Sequence, residues 1–331
     1  MLADQTQAKL FPTVIEYQPY AICNANCRYC PVGMLNREQG QKGEPIRAEV
    51  FEAMIVQTRG RRLERIAPHL NCEPLLYKNL HEQIRRWKVE HPEAKIEFST
   101  NAVFLTENVY VQLAESGLDE LQLHFMGISK EYHERAMQTN YERVKKNIET
   151  ALTLKRQRKD SVILNIFSHR LAGASLKDWY EFAQEWKKKG AIVTLGPLWN
   201  RAGWYGEKFN EMSVGLRDNN PSYCVKPFRQ IAIEHDGTVV LCSLDYDHRA
   251  KFGNIMQQPI EEIWNGPMLT YYRECHKDPN KLKDTVLCKD CIRGGHYLLD
   301  ESILTKVVNS ETSEGLSKEA MFNFLDTLDR F

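Results

Sequence analysis

Short apolar runs alternate with segments of helical apolar spacing from about residue 13 to residue 196. Such runs are typical of buried strands, whereas apolar residues three and four positions apart are typical of helices. Because helical segments separate the runs, the pattern predicts an α/β fold whose parallel sheet is either open or curved into a barrel. The six predicted strands are TVIEYQPYAI, RIAPHL, KIEFST, ELQLHF, SVILNIF and AIVTLG.

Two of the predicted helices carry recognisable capping residues. Thr106 is the predicted N-cap of a helix that ends just before Gly117. Asp178 is the predicted N-cap of a helix that ends before Gly190, with Glu181 as its capping-box partner.

The pattern changes after residue 196, where a loop rich in Gly, Asn and aromatic residues begins. The segment FRQIAIEHDGTVVLCSL holds two alternating apolar runs around Asp236-Gly237, which predicts a β-hairpin. Near the end of the sequence, apolar residues at helical spacing predict an amphipathic helix. They are Met321, Phe324, Leu325 and Leu328.

Composition excludes several classes of protein. Lys and Arg total 44, as do Asp and Glu, so no net positive field attracts nucleic acid or anionic lipid. There is no run of about 18 apolar residues that would span a membrane, and the first residues lack the basic and apolar regions of a secretory signal. We therefore expect a cytoplasmic protein with no nucleic-acid or membrane partner.

Nine cysteines, an odd count at uneven spacing, do not suit a disulfide framework in so long a chain. Cys23, Cys27 and Cys30 lie within eight residues, directly after the first predicted strand. Three thiolates from one loop leave a tetrahedral zinc site incomplete. They can instead hold three irons of a [4Fe–4S] cluster and leave the fourth iron open. The alternative is a buried group of ordinary thiols.

The spacing Cys-x3-Cys-x2-Cys, with Tyr29 before the last cysteine, resembles the motif of the radical S-adenosylmethionine (SAM) superfamily. The resemblance covers about residues 13–200, including NCEPLLY and STNA after the second and third predicted strands. It implies a partial (β/α)6 TIM-like barrel in which the three cysteines bind the cluster and Glu73 meets the SAM amino group. The other residues that it implies for SAM binding are Tyr29, Ser99, Thr100 and Asn101.

Two positions depart from the family pattern. Cys72 stands where the family usually has Gly beside the acid, and it is either a small thiol that fits the site or a redox-active group. His124 stands where many relatives carry Ser, at the end of the fourth predicted strand. It is predicted to contact substrate or relay a proton; the alternative is a structural histidine.

Four further cysteines provide a second ligand set: Cys224, Cys242, Cys288 and Cys291. Their spacing alone leaves both a structural zinc and a fully ligated [4Fe–4S] cluster open. The segment around them resembles the auxiliary-cluster extensions of radical SAM enzymes, in particular the short one-cluster form (twitch type). This resemblance implies a second [4Fe–4S] cluster in a small C-terminal α+β extension.

The family resemblance also implies the chemistry. Reductive cleavage of SAM would yield a 5′-deoxyadenosyl radical that abstracts hydrogen from an unactivated carbon. The one-cluster relatives include aminocyclitol dehydrogenases and sugar epimerases, so the expected substrate is small, polar and sugar- or aminocyclitol-like. Either dehydrogenation or epimerisation follows, and a flavodoxin- or ferredoxin-type protein is the expected electron donor.

Two more residues are catalytic candidates. Arg201 lies in the loop PLWNRAGWYG and is predicted to bind or deprotonate a substrate hydroxyl; the alternative is a packing loop. Cys275 is predicted to return a hydrogen atom to a substrate radical, as in some epimerases of the family; the alternative is an incidental thiol on a helix.

Two other functions stay open from the sequence. One is maturation of a ribosomally made peptide, which we disfavour because only 22 residues precede Cys23 and a leader-binding domain is not expected there. The other is a non-catalytic iron–sulfur or zinc protein. The predicted units are a catalytic core at residues 1–200, an auxiliary-cluster domain at 201–300 and a helical tail at 301–331.

Overall fold

The computed structural model describes residues 10–40, 42–169, 171–196, 198, 200–206, 208–212 and 224–291. The predicted amphipathic helix in the tail lies outside the described residues. No described helix is both long and apolar enough to cross a membrane.

All six predicted strands form and pair side by side, each parallel to the next. They are β1 Val14–Tyr17, β2 Arg65–Ala67, β3 Lys95–Thr100, β4 Glu120–His124, β5 Ile163–His169 and β6 Ile192–Gly196. In the described residues β6 is an edge strand, so the sheet is open and the predicted partial barrel is confirmed.

Helices connect these strands, with a short 3-10 turn at Pro74–Leu76 after β2. The helices are α1 Val32–Glu38, α2 Ala48–Thr58, α3 Leu80–Glu90, α4 Glu107–Glu115, α5 Lys130–Met137, α6 Tyr141–Arg158 and α7 Leu176–Lys188. Their apolar faces pack against the sheet, where Trp87 of α3 and Trp186 of α7 are both 2% exposed or less. Burial of such large apolar side chains is the main term that holds the layers together.

One predicted cap is confirmed and one is wrong. The Thr106 side chain accepts a hydrogen bond from the backbone N–H of Val109, as expected. The α7 helix begins one turn earlier than predicted, with Ser175 as its N-cap and Asp178 as the capping-box partner. Ser and Asp are both good N-caps, so the sequence alone did not identify which of the two occupies that position.

The C-terminal extension continues the same sheet. The predicted hairpin is confirmed as β7 Gln230–Ile233 and β8 Thr238–Val240, which pair antiparallel. A third strand, β9 Lys251–Asn254, pairs with β8, while β7 pairs parallel with β1. The nine strands therefore follow the order β6-β5-β4-β3-β2-β1-β7-β8-β9.

Short helices complete the extension. They are α8 Lys208–Met212, α9 Lys226–Arg229, α10 Ile260–Trp264, α11 Pro267–Lys277 and α12 Pro279–Leu282.

Candidate active site and auxiliary cysteine pocket

The loop that carries the first three cysteines joins β1 to α1 and is fixed from several directions. The backbone N–H of Cys23 donates to Asn36 Oδ1 over 3.2 Å, and that of Arg28 donates to the Ala136 carbonyl over 2.9 Å. A Cβ atom at Gly33 would lie 2.2 Å from the Ala25 carbonyl oxygen. Glycine at this position therefore allows α1 to pack directly against the loop.

One cavity of about 420 Å³ opens where the carboxyl ends of β1 to β5 meet. Active sites of barrel folds are built from the loops at this end of the strands. Every residue predicted for the first cluster and for SAM lines the cavity, together with two of the three catalytic candidates. The candidates beyond the three loop cysteines are Tyr29, Glu73, Ser99, Thr100, Asn101, His124 and Arg201.

Glu73 is held in one orientation by three hydrogen bonds. Its Oε1 accepts from Thr100 Oγ1 over 2.6 Å and from the Leu75 backbone N–H over 3.0 Å, while Oε2 accepts from the Asn101 backbone N–H over 2.8 Å. Burial nevertheless raises the pKa of Glu73 to about 7, against the effect of these bonds. A buried carboxylate of this kind is stabilised by a cationic partner, such as the amino group of SAM.

Asn101 ties the end of β3 to the cysteine loop. Its Nδ2 donates to Asn24 Oδ1 over 3.0 Å and lies 4.0 Å from the Cys23 sulfur. Ser99 lies on the same strand, and its hydroxyl donates to Gln122 Oε1 over 3.1 Å. The predicted SAM residues are thus brought together, and they lie beside the cluster cysteines.

The thiols of Cys23 and Cys27 lie beside other thiols of the loop and, for Cys23, beside Glu73, and this disfavours their charged form. Burial, followed by the charges of Glu73 and Cys27, raises the pKa of Cys23. Burial and the neighbouring Cys30 raise the pKa of Cys27 to about 12. Without a cation both thiols therefore keep their protons near neutral pH, and bound iron would supply the positive charge that stabilises their thiolate form.

Arg201 reaches back over the cysteine loop. Its Nε donates to the Tyr29 carbonyl oxygen over 3.0 Å, and its guanidinium carbon lies 5.9 Å from the centre of the Tyr29 ring. Burial disfavours the charged guanidinium of Arg201. Neighbouring groups, led by Tyr246 and Cys30, favour it more strongly, so the pKa of Arg201 is raised. An arginine that keeps its proton binds a hydroxyl group and does not deprotonate it, so only the binding part of the prediction suits this geometry.

His124 faces the same cavity. Burial, then the charges of Arg201 and His69, lowers the pKa of His124 to about 3. The ring is therefore neutral near pH 7 and can accept as well as donate a hydrogen bond. Its centre lies 5.1 Å from the Phe167 ring and 5.8 Å from the His169 ring.

Sequence reasoning missed a buried ion-pair network in the cavity wall. The Glu16 carboxylate lies 3.2 Å from His69 Nε2 and 3.5 Å from Lys226 Nζ. Although burial opposes its charge, Lys226 and His69 together lower the pKa of Glu16. The only sign in the sequence was an acid in the middle of a buried strand, which requires a partner.

The four remaining predicted ligands line a second pocket. Cys224 precedes α9, Cys242 follows β8, and Cys288 and Cys291 flank a turn after α12. Burial is the main cause that raises the pKa of Cys242 to about 12, while Lys226 opposes it. Burial, followed by the charges of the other three thiols, raises the pKa of Cys288, and all four cysteines line this one pocket. Four such donors complete the ligand set of a [4Fe–4S] cluster.

Two residues line both cavities: Lys226 and Leu244. The adjacent residues Arg201 and Ala202 line one cavity each, and both have positive φ angles of 52° and 54°. Such strained backbone is found where the surrounding structure fixes a functional loop. The two cysteine sites therefore share a wall.

Cys275 lines neither of these cavities. It is 1% exposed on α11, inside the extension. The next residue, His276, does line the cysteine pocket, and no sequence pattern had singled it out. The structure thus separates Cys275 from the other catalytic candidates.

Comparison with known proteins agrees with this arrangement. The model of the radical SAM superfamily matches residues 17–194, just over half of the chain. The chain belongs to the radical SAM superfamily. The SPASM model, described as an iron–sulfur cluster-binding domain, matches residues 224–292.

These matches confirm the predicted family and its predicted cofactors. The cofactors are SAM, the [4Fe–4S] cluster that binds SAM and the auxiliary [4Fe–4S] cluster. The protein is a radical SAM enzyme with an iron–sulfur extension, and we set aside a zinc site and a non-catalytic role.

The match covers most of the length of two relatives and about three quarters of a third. The S-adenosyl-L-methionine-dependent 2-deoxy-scyllo-inosamine dehydrogenase of Niallia circulans is 24% identical over 291 residues, 86% of this chain and 93% of that protein. The crystal structure of BtrN in complex with AdoMet and 2-DOIA has a TM-score of 0.58 at 23% identity, over 86% of this chain and 94% of that one. Streptococcus suis SuiB bound to precursor peptide SuiA has a TM-score of 0.64 at 14% identity, over 88% and 73%. At these identities the solved structures show the shared fold alone.

Proposed function

We propose that this radical SAM enzyme dehydrogenates a small polyhydroxylated molecule, an aminocyclitol or a sugar, at a carbon that carries a hydroxyl group. The observation that carries the proposal is the shared wall between the two cavities, formed by Lys226 and Leu244. Dehydrogenation removes a second electron after the first hydrogen atom. An electron acceptor next to the substrate suits that need.

We assign Cys23, Cys27 and Cys30 to the SAM-binding cluster. Cys224, Cys242, Cys288 and Cys291 are assigned to the auxiliary cluster. When bound, SAM and the two clusters supply the hydrogen-abstracting 5′-deoxyadenosyl radical and an acceptor for the second electron.

The cavity supports a small polar substrate. Its volume of about 420 Å³ lies within the range of small-molecule sites, and bound SAM would fill part of it. Polar side chains outside the SAM group also line it, among them Gln122, Lys226 and Ser243. Hydroxyl groups need such donors and acceptors. The dehydrogenase of Niallia circulans, named for an aminocyclitol substrate, supports the same class.

The chain's own residues have separate tasks in this proposal. Glu73, fixed by Thr100 and Asn101, binds the SAM amino group. Arg201 binds a substrate oxygen and stabilises the negative charge that develops there as the hydroxyl proton passes to solvent water. Neutral His124 accepts a hydrogen bond from a substrate hydroxyl. The first electron comes from outside the chain, and we propose a flavodoxin- or ferredoxin-type donor.

The direct test uses anaerobically reconstituted enzyme with SAM, a chemical reductant and a panel that contains 2-deoxy-scyllo-inosamine, related aminocyclitols and sugars. Mass spectrometry measures 5′-deoxyadenosine and the product together. We expect one panel member to yield 5′-deoxyadenosine in equal amount to a product lighter by two hydrogen atoms. If no member raises 5′-deoxyadenosine above the substrate-free level, the substrate class is wrong.

Epimerisation is a second candidate, favoured by the position of Cys72. This thiol lines the cavity, and burial, followed by the Glu73 charge, raises its pKa, so it keeps its proton. An S–H group there can return a hydrogen atom to the substrate radical. The resulting sulfur radical would then take up one electron and one proton from the external donor and solvent.

Cys72→Ser separates the two candidates, because serine keeps the size but does not donate a hydrogen atom readily. A dehydrogenase retains its product in this variant. An epimerase instead loses its product while SAM cleavage continues, and its wild-type product carries deuterium from heavy water.

A further inference from the structure

His276 is a buried polar side chain that the mechanism above leaves unused. It lies on α11, is 5% exposed, and lines the pocket formed by the four auxiliary cysteines. Neither of its ring nitrogens has a hydrogen-bond partner in the described part of the chain. Six side chains there have a buried polar atom without a partner, and His276 is the one in which two atoms are in this state.

An imidazole buried in this way is costly, because its ring nitrogens lose their hydrogen bonds to water without gaining others. Buried polar groups in native proteins nearly always find a partner, and an exception points to an ion or group that the protein binds. The remaining lining of the pocket is mostly apolar, with Leu241, Leu244 and Leu287. Lys226, the other polar residue of the lining, can only donate, so among the described side chains that line the pocket the acceptors for His276 are the cysteine sulfur atoms, together with the sulfur atoms of the cluster that they would bind.

The neighbouring helix positions show that this orientation is specific to His276. Cys275 is equally buried but lines neither cavity, since adjacent residues of a helix point in different directions. Arg273, one turn earlier, is held elsewhere: its Nε donates to the Pro227 carbonyl oxygen over 2.8 Å, and its guanidinium carbon lies 4.2 Å from the centre of the Trp264 ring. These contacts fix α11 against α9 and keep His276 at the pocket.

We propose that His276 donates a hydrogen bond to a sulfur atom of the auxiliary cluster and thereby stabilises its reduced state. Adding an electron increases the negative charge on the sulfur atoms, and a hydrogen-bond donor favours the more negative form. His276 is thus a positioning and tuning residue that makes the cluster a better electron acceptor. The inference rests on the proposed assignment of the four cysteines as its ligands.

The test measures the auxiliary cluster by itself. The background is the full chain with Cys23, Cys27 and Cys30 replaced by Ala, reconstituted anaerobically. In this background, His276→Leu removes the hydrogen-bond donor, His276→Gln keeps one, and Cys275→Ala is the matched control on the same helix. Iron content and a potentiometric titration followed by EPR are recorded for each protein.

We expect all four proteins to bind about four irons. At a fixed potential, His276→Leu should shift the oxidised-to-reduced ratio about tenfold toward oxidised, which is 59 mV for one electron. His276→Gln should restore part of the shift, and Cys275→Ala should cause none. An unchanged potential in His276→Leu with a full cluster would overturn the role of His276 alone. A background protein without iron would refute the ligand assignment and with it this inference.

A second measurement does not depend on how the variants fold. Wild-type enzyme is labelled with ¹⁵N-histidine, and the reduced auxiliary cluster is studied by pulsed EPR. A weak ¹⁵N coupling together with an exchangeable proton coupling is expected for a hydrogen bond. No histidine coupling overturns the proposal, and so does a strong coupling, because that indicates a direct iron ligand.

Discussion

Single side chains decide the electrostatics of this active site. Glu73 has three hydrogen-bond donors but no cationic partner among the described residues, and burial raises its pKa to about 7. Glu16, equally buried, has Lys226 and His69 beside it and its pKa is lowered. The pKa values of these two acids thus shift in opposite directions. Glu16 already has cationic partners, whereas Glu73 can still bind one.

We predict that SAM affinity depends on pH through Glu73. The carboxylate form binds the SAM amino group, and protonation below pH 7 removes it, so affinity should fall about fifteenfold from pH 7 to pH 5.5. His124 does not titrate in this window, because burial lowers its pKa to about 3. Anaerobic calorimetry of SAM binding measures the effect.

Glu73→Gln is the control for this prediction. It keeps the shape but not the charge, so binding at pH 7.5 should weaken by about tenfold to a hundredfold and lose its dependence on pH. Wild-type affinity that is constant from pH 5.5 to 7 would show that Glu73 does not titrate there.

The start of a helix depends on capping contacts that the apolar pattern of the sequence only partly reveals. The α7 helix illustrates this: the sequence pattern predicts Asp178 as the N-cap, and the structure uses Ser175. The two residues form a reciprocal capping box, in which Ser175 Oγ accepts from the Asp178 N–H over 3.1 Å and Asp178 Oδ2 accepts from the Ser175 N–H over 2.9 Å. Glu181, the partner expected from the sequence, is exposed on the helix.

We therefore predict that Ser175→Ala destabilises the protein by about 1 kcal/mol, because a backbone N–H at the start of α7 loses its acceptor. The midpoint of thermal unfolding should fall by about 2–4 °C for a chain of this size. Glu181→Ala serves as the matched control and should leave the midpoint unchanged. A fall in the midpoint with Glu181→Ala but not with Ser175→Ala would instead support Asp178 as the N-cap with Glu181 as its capping-box partner.

The whole molecule is one continuous sheet with two cysteine sites. Pairing of β7 with β1 places the extension directly against the strand that leads into the cysteine loop. The boundary proposed near residue 200 therefore separates two ligand sets but not two sheets. Each set nevertheless draws its cysteines from its own segment, the first from residues 23–30 and the second from residues 224–291.

From this separation we predict independent loading of the two sites. Reconstituted wild-type enzyme should bind about eight irons, and the variant with Cys23, Cys27 and Cys30 replaced by Ala about four. SAM should change the EPR spectrum of the reduced wild type only. Iron and sulfide analysis with EPR measures both. Complete loss of iron in the triple variant would mean that the auxiliary site depends on the first cluster.

The sequence by itself determined the strands, the family and the cysteine ligand candidates. Apolar periodicity is a local property, and Cys23, Cys27 and Cys30 lie so close along the chain that their meeting needs no knowledge of the fold. Glu73 and Asn101 were reached through motifs that follow their strands directly. The hairpin at Asp236-Gly237 is equally local, because a two-residue turn is set by its own backbone preferences.

Only the tertiary structure decided how distant segments meet. The pairing of β7 with β1, the Glu16–His69–Lys226 network and the wall shared by the two cavities each join residues far apart in sequence. The same is true of the orientation of α11, which turns His276 toward the cysteine pocket and Cys275 away from it. Side-chain burial and pKa depend on everything packed around a residue, and no local pattern carries that information.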